Sequence, residues 1–181
     1  MKGIVFREFL EMVELKFGYE MVDQIIEKAD ISSKGAYTSV GTYPHGEIFK
    51  LVKQLSLILN IEEDKLFTAY GEYAFGSFLK AYPYLTTNYQ DAFDLLSHIE
   101  GTIHAEVLKL YPDAELPVIE IKERTKDYMV IKYKSQRKMS DFAEGLIRAC
   151  LKYFDENAII LRENLVEDRS EVLFSITKIY E

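Results

Sequence analysis

With 181 residues, 48% hydrophobic and 13% aromatic, the chain is long enough for one domain, with or without a small subdomain, that buries a core without a disulfide staple. A formal charge of −8 repels phosphate backbones and disfavours a nucleic-acid partner. The single Cys150 cannot form an internal disulfide, which suits a reducing, cytoplasmic compartment, and no apolar run approaches the length of a membrane span.

The chain opens MKGIVFREF, with an acid at position 8 and no signal-peptide pattern. Residues 2–18 read as a first helix with Ile4, Val5, Phe6, Phe9, Val13 and Phe17 inward, ended by Gly18. Residues 19–28 form a short second helix on Val22, Ile25 and Ile26. Serine, threonine and glycine dominate residues 31–43, which read as a loop. Pro44 opens a third helix, where its missing amide proton costs little. Its apolar set is Ile48, Leu51, Val52, Leu55 and Ile58, and Asn60 closes it. Residues 61–80 make a fourth helical region that is rich in aromatic side chains. Gly71 and Gly76 suggest a bend or a close approach there. Phe67, Ala74, Phe75 and Phe78 either line an apolar cavity or pack a plain core.

Residues 92–111 are the stretch around which the rest is arranged. Phe93, Leu96, Ile99, Ile103, Val107 and Leu110 recur at helical spacing, so one amphipathic helix is expected, capped by Asn88 and ended by Pro112. His104 sits at the edge of the buried face. Gly101, one turn earlier, leaves room beside it at a cost of about 1 kcal/mol relative to alanine. The space suits something flat and bulky, or the glycine simply eases a helix crossing. After Pro112 the period changes. Residues 117–123 and 127–134 alternate as a hairpin. Residues 138–154 return to helical spacing with Met139, Phe142, Ala143, Leu146, Cys150 and Phe154. Residues 157–162 and 171–179 read as two further strands. The expected class is α+β: a helical N-terminal part (1–60), then helices and an antiparallel sheet of about four strands with one packed helix (61–181).

Alternation at the end of the second strand puts Tyr133, Ser135 and Arg137 on one side. A guanidinium grips a carboxylate through paired charge-assisted bonds, and two hydroxyls can fill the remaining lone pairs. An acidic group on a cofactor suits that spot; so does water at a strand edge. No nucleophile–base–orienter set and no metal-hydrolase histidine pair is present, so the chain does not read as an enzyme.

Together, His104 in the string HAEVLKLYP, Pro117 after a short acidic linker, and Tyr133, Ser135 and Arg137 resemble the haem nitric oxide/oxygen binding family, the H-NOX (HNOB) domains. The resemblance runs from MKG to the last strand. It implies haem b held between the helical part and the sheet, with His104 as the proximal iron ligand. It also implies a propionate clamp of Tyr133, Ser135 and Arg137, and Pro117 pressing on the macrocycle. Gly101 would let the ring or the imidazole lie close to its helix. Oxygen-binding relatives place a tyrosine on the late helix five residues after the clamp arginine, where this chain has Phe142. They also use a tryptophan near the N-terminus and an asparagine on the aromatic helix, where this chain has Phe9 and Ala74. Val5, Phe9, Ala74, Phe75, Phe78, Phe142 and Leu146 are thus expected as an apolar distal wall, with Tyr70 and Tyr73 the residues that can turn inward.

The function implied is a haem-based sensor that takes nitric oxide and carbon monoxide at ferrous iron and excludes oxygen. It signals to a separate histidine kinase or cyclic-di-GMP enzyme when the His104–iron bond weakens or breaks. An oxygen-binding or redox haem protein, or a cofactor-free interaction domain of the same fold, are the alternatives. His98 and His45 read as surface histidines. Cys150 is alone, so the cysteine zinc site of some relatives is not expected. The acidic runs at 62–64 and 167–168 read as solvated faces.

Overall fold

A computed structural model describes residues 1–180. Four helices come first: α1 (Gly3–Phe17), α2 (Tyr19–Ala29), α3 (Gly46–Leu59) and α4 (Glu63–Ala81). Gly18, at φ 84°, makes the corner between α1 and α2, a backbone shape that glycine takes without strain. Asn60, at φ 53°, ends α3 in the left-handed conformation, as expected of asparagine at a helix end. Apolar spacing fixes which faces turn inward. Phe6, Phe9, Val13, Ile25, Ile48, Leu51, Val52 and Leu55 are fully buried in one core, joined by Leu66, Phe67, Tyr70 and Ala74 of α4. Phe17, expected inward, is exposed; it is the last residue of α1, beyond the reach of the helices that cover the rest of that face.

The stretch 92–111 is not one helix. It divides into α5 (Ala92–Ser97), a π-turn (Ile99–Ile103) and α6 (His104–Leu110). Asp91, not Asn88, caps α5, its carboxylate accepting from the Asp94 amide at 2.7 Å. Single π-turns within helices are rare and are found frequently at functional sites. Apolar periodicity alone cannot reveal one, because a single wide turn shifts the phase without removing any apolar residue.

The sheet is antiparallel in the order β1-β2-β4-β3, from β1 (Val118–Arg124), β2 (Tyr128–Lys134), β3 (Asn157–Asn164) and β4 (Glu171–Ile179). Strand alternation sets its inner face. Met129, Ile131 and Tyr133 of β2 stand beside Ile176, Phe174 and Val172 of β4, and all six are buried. These residues, the buried side of α5, and Ile147, Cys150 and Leu151 of α7 (Ser140–Tyr153) form a second core.

α7 links the cores, because its Phe142 and Leu146 pack on the first. It crosses α4 at a very short distance. A Cβ on Gly71 would meet the Phe142 carbonyl at 2.1 Å, and one on Gly145 would meet the Thr68 carbonyl at 2.1 Å. The close approach read from Gly71 is therefore real. Gly76 has open space around it, and α4 runs unbroken through it, so no bend or contact calls for glycine there.

Candidate functional site

Between the two cores lies an apolar cavity of about 340 Å³, within the usual range of about 300–1,000 Å³ for small-molecule and cofactor sites. Its wall draws on α1, α4, the α5–α6 stretch, the sheet and α7. Ile103, Val107 and Leu110, expected to pack a core, face this cavity. Of the predicted site residues, His104, Pro117, Tyr133, Ser135 and Arg137 all border it. So do Val5, Phe75, Phe78, Phe142 and Leu146, each only partly buried in the cores.

Three predicted contacts lie elsewhere. Phe9 and Ala74 are fully buried inside the helical core, behind the cavity wall; the ring of Phe9 packs edge-on against Tyr70 at 5.4 Å. Gly101 is exposed with open space around it and does not border the cavity. The π-turn carries it to the solvent side, so it opens no room next to His104.

His104 begins α6. Its side chain is 14% exposed, and Glu100 Oε1 stands 3.3 Å from Nδ1. Burial lowers its pKa, with Glu100 opposing; the balance favours neutral imidazole, the form that ligates metals. Among the described residues no cluster of three or more His, Cys, Asp or Glu side chains is placed to hold a metal ion. A lone histidine on an apolar wall suits a metal that arrives with its own equatorial ligands, as haem iron does.

Tyr133 is buried on the inner face of β2, and burial raises the pKa of its hydroxyl. The strand stops at Lys134. Ser135 and Arg137 belong to a turn in which the Ser135 hydroxyl accepts from the Arg137 amide at 3.1 Å. The three meet at one rim through this turn, rather than by continued alternation. The guanidinium of Arg137 already holds a carboxylate, that of Glu115, at 3.0 Å. A rim that takes a carboxylate side chain has the chemistry to take a propionate, so the residues present fit a haem.

The distal question turns on Tyr70. It is fully buried and turned inward, but its hydroxyl donates to the Val5 carbonyl at 2.5 Å. Burial raises its pKa well above the ordinary value. Tyr73 is partly buried, its pKa raised by burial and then by Glu11 and Glu8 of α1. His98 and His45 are exposed. Cys150 borders the cavity as a buried thiol, pushed up to about 12 by burial.

Sequence reasoning missed three polar partners. Glu100 was legible as an i,i+4 neighbour of His104. Glu115 and Asp113 lie in the acidic linker before Pro117, but nothing local says that Asp113 pairs with Lys2 at 2.6 Å. That pair, with Lys2 also donating to Thr42 at 3.0 Å, joins the start of α1 to the linker after α6.

The Haem-NO-binding family profile (HNOB) matches residues 2–161. A comparison with curated proteins gives no match. Among solved structures, the Fe(II) unliganded H-NOX protein from K. algicida is 42% identical, with a TM-score of 0.94 over 100% of this chain and 98% of that one. The IWP-051-bound H-NOX from Shewanella woodyi, in the Fe(II)CO state, is 38% identical, with a TM-score of 0.82 over 99% and 95%. An H-NOX protein from S. oneidensis in the Fe(II)NO state, 24% identical, shares the fold with a TM-score of 0.90 over 99% and 100%. H-NOX domains are sensing and binding modules rather than catalysts. With the profile spanning most of its length and the α+β architecture shared throughout, the chain belongs to the H-NOX (haem-NO-binding) family of gas-sensing, ligand-binding domains.

Proposed function

We propose that this protein is a haem-based nitric oxide sensor. The observation that carries the reading is the largely buried imidazole of His104 on the wall of an apolar cavity whose rim places Arg137 against a carboxylate. Haem b, when bound, supplies the iron at which nitric oxide or carbon monoxide binds. His104 holds that iron from the α6 side. Arg137, Tyr133 and Ser135 would hold the propionates, and Pro117, on the same wall, would bear on the ring. Val5, Phe75, Phe78, Phe142 and Leu146 keep the gas side apolar.

Bound oxygen carries partial negative charge and gains from a hydrogen-bond donor; nitric oxide needs one far less. The inward phenol here, Tyr70, spends its proton on the Val5 carbonyl. The reading is therefore nitric oxide and carbon monoxide accepted, oxygen not retained.

With haem bound, a weaker hold of His104 on the iron would let α6 relax, and the N-terminal helices, residues 1–60, would shift against the rest. The Lys2–Asp113 pair lies across that junction. The output is a change of surface read by a separately encoded histidine kinase or cyclic-di-GMP enzyme. The test is the absorption spectrum of ferrous protein in air and under nitric oxide. Retention of oxygen defeats the selectivity, and a protein that takes up no haem defeats the whole reading.

A further inference from the structure

We propose that Glu100 is the positioning residue for His104: its carboxylate accepts the Nδ1 proton, leaves the Nε2 lone pair for iron, and ties the imidazole to the start of β1. The inference rests on the haem reading above and deepens it.

Three observations converge on Glu100. The π-turn Ile99–Ile103 ends at His104, whose amide donates to the Ile99 carbonyl. Glu100 lies within that wide turn, and its Oε1 reaches within 3.3 Å of His104 Nδ1. The same Oε1 accepts the backbone amide of Ile119. Ile119 lies in the edge strand β1, two residues beyond Pro117, and both border the cavity. One carboxylate oxygen thus joins the proximal imidazole to the strand that follows the ring-bearing proline. Among the described residues neither ring nitrogen of His104 makes a hydrogen bond of good geometry, and Nδ1 alone has a charged neighbour, Glu100 at 3.3 Å.

The chemistry follows from the two ring nitrogens. A hydrogen bond at one selects the tautomer and leaves the other free for a metal. An anionic acceptor also makes the imidazole a stronger donor to its metal. Glu100 therefore sets the strength of the bond that nitric oxide must weaken. Because it also holds Ile119, a displaced imidazole pulls on the sheet edge next to Pro117. The Glu100 side chain is 45% exposed, which leaves its arm adjustable, so the contact orients the ligand from a solvent-facing position.

The experiment uses haem-loaded ferrous protein in wild-type, Glu100→Gln and Glu100→Asp forms. Resonance Raman reads the iron–histidine stretching band, and absorption under nitric oxide reads the fraction that has lost His104. In Glu100→Gln the band should move to lower frequency, the midpoint potential should rise, and nitric oxide should release a larger fraction of His104. Glu100→Asp, which keeps the charge, should restore part of the band position. A merely structural role would lower the melting temperature and leave the band in place. A wild-type band that both variants leave unmoved overturns this inference alone. A wild type without haem, or with no histidine band, overturns the haem reading and this inference with it.

Discussion

The hydroxyl of Tyr70 donates to the Val5 carbonyl at 2.5 Å, and its ring lies 4.8 Å from that of Phe142. Of these two neighbouring rings only Phe142 borders the cavity, and it has no proton to give. Phe142→Tyr places a hydroxyl at that wall and should let ferrous protein in air hold oxygen. Tyr70→Phe should leave gas behaviour unchanged and cost about 1 kcal/mol of stability, the worth of one hydrogen bond. Visible spectra in air check the first, and urea melts the second.

The α4–α7 crossing yields a stability prediction. A methyl on Gly71 meets the Phe142 backbone at 2.1 Å, while one on Gly76 meets nothing within 4 Å. Gly71→Ala should cost about 2–3 kcal/mol, since backbone on both sides must move. Gly76→Ala, in an exposed helix interior, should gain about 0.5–1 kcal/mol. Chemical denaturation of the two variants separates them. Because Phe142 lines the cavity, Gly71→Ala should also shift the gas-bound spectrum, and Gly76→Ala should not.

Glu47 makes the loop before α3 sensitive to acid. Its buried carboxylate accepts from the Ser32 and Ser33 hydroxyls, each at 2.6 Å, and from the Tyr37 hydroxyl at 2.7 Å. Burial works to raise its pKa, but those hydrogen bonds outweigh it and hold Glu47 down at about 2, against an ordinary 4.5. Its contribution to stability is complete above the ordinary value and is lost as pH falls from about 4.5 toward 2. Glu47→Gln should flatten the pH dependence of the melting temperature in that window. Glu47→Ala should cost about 3 kcal/mol at neutral pH by stranding three hydroxyl donors.

Arg137 faces Glu115 at 3.0 Å, and its fork is the part that lysine lacks. Arg137→Lys keeps the charge and loses the paired geometry, so haem should leave about tenfold faster, equivalent to one charge-assisted hydrogen bond. Transfer of haem to an apo-globin measures that rate.

Helices, hairpin and strands were legible because their apolar periods are long and regular. Alternation alone puts Met129 and Ile131 on one face of β2 and Phe174 and Ile176 on one face of β4; that these two strands pair, and in this register, is not encoded in it. His104, Pro117, Tyr133, Ser135 and Arg137 are singled out through pattern and resemblance and border the cavity, whereas Ile103, Val107 and Leu110 read as core and face it instead. Phe9 and Ala74 lie in the helical core rather than on the cavity wall, a distinction period cannot make, because it identifies the inward side of a helix but not whether that side meets a core or a cavity. Gly101 lies where the π-turn shifts the phase of the helix, which nothing in the apolar spacing registers, and Asn88 is not the cap because α5 starts at Ala92, directly after Asp91, whose carboxylate takes the Asp94 amide. The Glu47 cage and the Lys2–Asp113 pair depend on contacts across the fold that no local pattern encodes.

Ligation of haem iron by the His104 imidazole is tested most directly by the absorption spectrum of the purified protein beside His104→Ala, each with and without added imidazole. The account predicts a strong haem band in the wild type, little retained haem in the variant, and recovery of the band when imidazole fills the place of the missing ring. A variant that keeps its full complement of haem and the wild-type spectrum without imidazole would contradict it.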